Sequence, residues 1–152
     1  GAVKYADLMQ NRTADYRFSW DKMLAFDGNT APYLQYVYAR KQSVIAKNKE
    51  GLLHTLSEFA MTNQLHPEER ELLRLLSRFS EIVEDAAVRF APNALCTYLF
   101  EVAQAFNLFY QKQQILKAES SVRDFRLFLT AATGNVLKDG LDLLGIQAPE
   151  KM

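Results

Sequence analysis

Residues 93–112 read NALCTYLFEVAQAFNLFYQK, and the spacing of their large apolar side chains decides the fold class. Leu95, Leu99, Val102, Phe106 and Phe109 recur in alternating steps of four and three, the interval that stacks side chains on one face of an α-helix. A half-buried strand would alternate every second residue, and no such run of β-branched residues occurs in the chain.

Working outward, the same period recurs on both sides. Pro67-Glu68-Glu69 opens a helix whose acids suit the N-terminal dipole, with Leu72, Leu73, Leu76 and Phe79 on one side. Glu81 to Phe90 repeats the pattern and Pro92 breaks it. Downstream, Ser121 begins a last helix in which Val122, Phe125, Leu129, Ala132 and Val136 face the core. Gly134 and Gly140 fall inside this pattern and predict a kink or a close helix contact, while Gly145 suits a C-cap. Upstream, Lys4 to Asn11 and Trp20 to Phe26 read as short helices, the second ended by Gly28. Thr30 caps a longer helix with Pro32 in its first turn and Leu34, Val37, Tyr38, Val44 and Ile45 inward. Lys41 lies on that apolar stripe, and the expected placement is a stem along the surface with its ammonium in solvent. The polar stretch Ala46–Leu52 is a plausible joint, followed by a helix from Leu53 to Met61. The expected fold is all-α, an antiparallel helical bundle, with a helical segment over 1–47 and a bundle over 48–152 that can pack as one unit.

Of 18 Lys+Arg and 18 Asp+Glu, residues 1–50 hold 8 and 5, leaving 10 and 13 for the rest. The net charge of zero excludes a strong nonspecific polyanion binder, so an RNA partner would be held by local patches, shape and base stacking. No apolar run approaches the ~20 residues that cross a bilayer, and no membrane partner is expected. Nothing at the start resembles a targeting peptide; Gly1 reads as a cut into a fold. The single cysteine, Cys96, excludes an internal disulfide and fits the cytoplasm.

Chemistry-bearing patterns are sparse. His54 and His66 show no metal-ligand spacing, and no glycine-rich phosphate loop occurs. The pairs Glu68-Glu69 and Glu84-Asp85 read as solvated charges at helix ends rather than as a general acid and base. No metal site and no catalytic residue is assigned, and the chain alone is expected to be inactive.

Two stretches carry more than periodicity. VKYADLMQNRTADYRFSWDKMLAFDGNTAPYLQYVYAR, from Val3 to Arg40, resembles the segment that follows the catalytic domain in arginyl-tRNA synthetases, with FSWDKML paired to GNTAPYLQYVYAR. YLFEVAQAFNLFY (98–110) and VLKDGLDLLGIQAPEKM (136–152) resemble that family's helical, DALR-type anticodon-binding domain. The resemblance implies a tRNA-binding C-terminal portion of the class I enzyme that attaches arginine to its tRNA using ATP and Mg. The HIGH-type and KMSK-type ATP-handling signatures are not in this sequence, so no cofactor is expected here. The implied partners are an arginine-accepting tRNA and the catalytic domain, with the chain itself a monomer or weak dimer.

The resemblance places Tyr110 and Met152 on the surface that meets the unstacked anticodon bases, where stacking and apolar contact read single-stranded RNA. Phe106 and Asn107 lie nearby, Phe106 also belonging to the apolar stripe. Arg12, Arg40 and Lys41 are candidates for phosphate contact. Gln113-Gln114 stand where the family usually has Cys-Pro, Lys41 where an apolar residue is usual, and Ser80 in place of a common proline. These departures leave open a second reading, a helical protein–protein interaction or engineered scaffold domain without RNA binding.

Overall fold

The computed structural model describes residues 1–11, 13, 15–46 and 65–150. Seven helices are described: α1 (Ala2–Leu8), α2 (Trp20–Met23), α3 (Ala31–Ala46), α4 (Pro67–Ser77), α5 (Phe79–Val88), α6 (Pro92–Lys112) and α7 (Ser120–Leu143). No strand occurs among the described residues. The expected joint and helix over 47–64 lie outside them, as does the boundary expected at residue 47.

The ends of these helices follow local chemistry. Thr30 Oγ1 accepts the Tyr33 N–H at 3.2 Å and donates to the Ala25 carbonyl at 2.6 Å, capping α3 and tying it to the turn before it. The His66 N–H donates to Glu69 Oε2 at 2.8 Å, which satisfies a free donor where Pro67 starts α4. Gly145 takes the left-handed φ of 68° that ends α7. There the Gly145 N–H reaches the Asp142 carbonyl and the Ile146 N–H the Leu141 carbonyl, both at 2.9 Å. α2 stops at Met23, three residues short of the expected Phe26.

α6 is the central helix, touching α1, α3, α4, α5 and α7. Tyr98 in its first half donates to the Leu75 carbonyl at 2.8 Å, and Lys112 at its end reaches Glu68 at 2.6 Å, so α4 and α6 run antiparallel. Contact of Gly140 with Leu99 sets α7 antiparallel to α6 as well. A Cβ at Gly140 would lie 2.4 Å from Leu99 Cδ2, so glycine here lets the two backbones approach, as expected from its place in the pattern. α3 runs alongside α6 in the same direction: Tyr33 stacks edgewise on Phe100 and Arg40 bonds Asn107. One hydrophobic cluster extends from Tyr5 to Ile146 and includes all five stripe residues of α6.

Four polar positions depart from the sequence reading. Glu69, expected to be solvated, is 1% exposed because Arg126 of α7 meets it. Lys41, expected to reach solvent, is 5% exposed because Gly134 leaves its chain a slot: a Cβ there would sit 1.7 Å from Lys41 Cε. The buried face of α7 also carries Thr130 and Thr133, while Val136 packs half-buried against the core and Ala132 is half-buried. Both hydroxyls donate 2.8 Å bonds to carbonyls one turn back, Arg126 and Leu129, so their burial leaves no donor unpaired.

Candidate nucleic-acid interface

α3 and α6 lie side by side with their C-terminal halves together, and this places three candidate residues in mutual contact. The Arg40 guanidinium lies 4.6 Å from the Tyr36 ring centroid and 5.2 Å from that of Tyr110. Its Nη1 donates to Asn107 Oδ1 at 3.0 Å, and Nη2 donates to the Tyr36 hydroxyl. Asn107 in turn donates from Nδ2 to the Tyr33 hydroxyl at 2.8 Å, which fixes its amide orientation. The cation thereby lies within cation–π range of both rings. Tyr110 and Tyr36 are 39% and 38% exposed, so both rings stay within reach of a partner.

Beside this stack a groove of about 770 Å³ opens, lined by Tyr36, Arg40, Ser43, Tyr110 and Gln111 and by the turn Gln113–Lys117. Its lining mixes rings, amides and two cations, a composition that can stack bases, bond their edges and meet phosphate.

The remaining candidates separate. Phe106 is fully buried, with its ring 6.1 Å from Phe109 and 6.3 Å from Tyr110, so it supports Tyr110 from beneath and offers no surface of its own. Its position on the apolar stripe decides this over its place next to Asn107. Lys41 points away from Arg40 into the slot at Gly134, 4.8 Å from the Tyr38 centroid, and presents no ammonium for a phosphate. Arg12 and Met152 lie outside the described residues.

Tyr36 was not singled out in the sequence, although it stands one turn before Arg40, the spacing at which helical side chains meet. Gln113 showed only as a departure from a family pattern. Arg126, which lies 57 residues from Glu69, carried no local signal of its role.

Burial pulls the Lys41 ammonium below its ordinary pKa of 10.5, and Glu150 opposes this. Between the lowered value and 10.5 the unfolded chain binds more protons than the folded one, so stability climbs with pH through that window. Melting temperatures measured from neutral pH upward are expected to rise less in Lys41→Met than in the parent chain. Equal slopes would rule out a buried ammonium.

Burial pushes the Cys96 thiol up to about 12, so it is protonated at neutral pH and no nucleophile. No group of three His, Cys, Asp or Glu among the described residues could hold a metal ion. Added Cβ atoms at Gly134, Gly140 and Gly145 would meet Lys41, Leu99 and Lys4, so these glycines serve packing and offer no phosphate cradle.

The profile of the DALR anticodon binding domain family matches residues 34–152. The chain is 46% identical over 161 residues to an arginine–tRNA ligase of Rhodopirellula baltica, covering 100% of this chain and 24% of that protein. It is 47% identical over 152 residues to that of Mannheimia succiniciproducens, covering 100% and 26%. Among solved structures it resembles arginyl-tRNA synthetase from Thermus thermophilus, with a TM-score of 0.90, 34% identity and coverage of 100% and 26%. The Plasmodium falciparum arginyl-tRNA synthetase gives a TM-score of 0.86 at 30% identity, covering 99% and 26%. The chain thus spans about a quarter of the length of these relatives.

Proposed function

Because this chain belongs to the DALR anticodon-binding domain family, as a C-terminal portion of arginyl-tRNA synthetase, we propose that it holds the anticodon loop of an arginine-accepting tRNA against the groove between α3 and α6. The observation that carries this reading is the Tyr36–Arg40–Tyr110 stack at the edge of that groove. A planar guanidinium held against two half-exposed rings is a preformed stacking platform. An unstacked base gains contact area there without first ordering the side chains that receive it. Arg40 supplies the positive charge that a neutral chain lacks globally, and Asn107 keeps Arg40 in place. Met152, at the chain's end, is assigned to the same surface through the family resemblance, and Arg12 to phosphate contact.

The role proposed for this portion is binding. ATP and Mg are assigned to the catalytic portion of the parent enzyme. That portion is also the partner assigned to the exposed run Phe18, Trp20, Leu24 and Phe26, which are each more than half exposed. Alone, the chain is proposed to be a monomer or weak dimer. No described helix is long and apolar enough to cross a membrane, and a cytoplasmic setting suits a tRNA partner.

The test is a titration of the chain against an arginine-accepting tRNA transcript and an anticodon-swapped one, at two salt concentrations. Preferential binding to the first is expected, weakening as salt displaces the phosphate contacts. Tyr110→Ala is expected to reduce affinity by about 1–3 kcal/mol, the range for losing one stacked base. Unchanged affinity with the fold intact would remove Tyr110 from the interface. Binding to neither transcript would favour the scaffold reading.

A further inference from the structure

We propose that Gln113 is a positioning residue whose carboxamide joins Arg126 to Glu68 and thereby fixes the turn that walls the groove beside Tyr110. α6 ends at Lys112 and α7 begins at Ser120, so the backbone between them has no helical ladder to hold it. Residues 113–117 of this turn line the groove, and its shape depends on what anchors them.

The anchor is a chain of hydrogen bonds reaching from the core to the surface. Arg126, 6% exposed, donates from Nε to Glu69 Oε1 at 2.7 Å and from Nη1 to the Gln114 carbonyl at 2.9 Å. Its Nη2 donates to Gln113 Oε1 at 2.8 Å. Gln113 Nε2 donates to Glu68 Oε2 at 3.3 Å, and the other oxygen of Glu68 takes a 2.6 Å bond from Lys112. Ile115, 5% exposed, plugs the turn into the core between these points.

A carboxamide is the group this position needs. Its oxygen faces a cation and its nitrogen faces an anion, so one orientation satisfies both ends and the flipped one opposes both. A glutamate at 113 would keep the bond to Arg126 but set a second carboxylate against Glu68. An apolar side chain would lose both. Lys112 first, then the backbone N–H at the start of α4, holds the Glu68 carboxyl below its ordinary pKa, and Gln113 adds the smallest share.

The consequence for RNA rests on the groove being the anticodon site; the anchoring of the turn does not. The experiment therefore reads the two separately, as hydrogen exchange of the chain alone and as affinity for an arginine-accepting tRNA transcript. In Gln113→Leu, amides of 113–118 are expected to exchange about tenfold faster while those of α3 and α4 keep their rates. Affinity for the transcript is expected to fall about three- to tenfold, the equivalent of one lost ordering contact. Gln113→Glu should loosen the turn similarly, and pairing it with Glu68→Gln should restore slow exchange, because the amide and the carboxylate have then traded places. Unchanged exchange in Gln113→Leu, or no rescue by the exchanged pair, overturns the proposal. Faster exchange with rescue supports it, and if the parent chain then binds no tRNA, it is the anticodon reading that fails.

Discussion

Replacing Arg126 with methionine is expected to destabilise the fold by about 3–5 kcal/mol, the range for removing one member of a buried ion pair. The size follows from what is left behind. Glu69 is 1% exposed, and without Arg126 its Oε1 has lost a 2.7 Å charged partner deep between α4 and α7. The remaining bond, from the His66 N–H to Oε2 at 2.8 Å, cannot offset the desolvation of a full charge. Methionine keeps much of the arginine's length and volume, so the loss reports charge and hydrogen bonding more than a cavity. Urea unfolding of both chains measures it through the shift in midpoint at constant slope. Adding Glu69→Leu should recover much of the loss, since an apolar pair of similar size is often as stable as the ion pair it replaces. A single variant within about 1 kcal/mol of the parent would show the pair to be solvated, as exposed pairs are.

Phe106→Ala is expected to cost about 3–5 kcal/mol of stability, the range for truncating a buried phenylalanine. Phe106 is fully buried on the helix that contacts five others, so the vacated space is bounded by helices that cannot all collapse inward. The same variant separates two roles that the residue's position suggests. If Phe106 touched a base, Phe106→Leu would preserve stability and lose affinity for tRNA. The geometry requires the reverse order: Phe106→Leu loses about 1 kcal/mol of stability and disturbs binding only as far as Tyr110, whose ring centroid lies 6.3 Å away, is tilted. Denaturant midpoints and transcript affinities measured on both variants decide it. Full stability of Phe106→Ala would contradict the buried placement.

Much of the architecture was legible in the residues because helices announce themselves locally. The four-and-three spacing of α6 survives intact as a buried face, and Thr30, Pro67 and Gly145 punctuate where their side chains or backbone angles require. The candidate site was legible in part. Tyr110, Asn107 and Arg40 came from a family resemblance, and the fold joins them at the Arg40 guanidinium. The resemblance alone could not separate Tyr110 from Phe106, since both lie in its matching stretch. The helical stripe separates them, because Phe106 belongs to it and Tyr110 does not.

The sequence by itself determined that this chain is helical, where the described helices begin and end to within a few residues, and which family it resembles. These are properties of near neighbours and of residue order. Only the tertiary structure decided which charges leave water. Glu69, Arg126 and Lys41 are of the types that composition assigns to the surface, and each is buried because a distant segment supplies a partner or a space. Whether a charge can be buried depends on what faces it. For Glu69 that group is a guanidinium 57 residues away, and for Lys41 it is the missing side chain of Gly134. No local pattern records either, because the energy belongs to the pair and exists only once α3, α4 and α7 have packed.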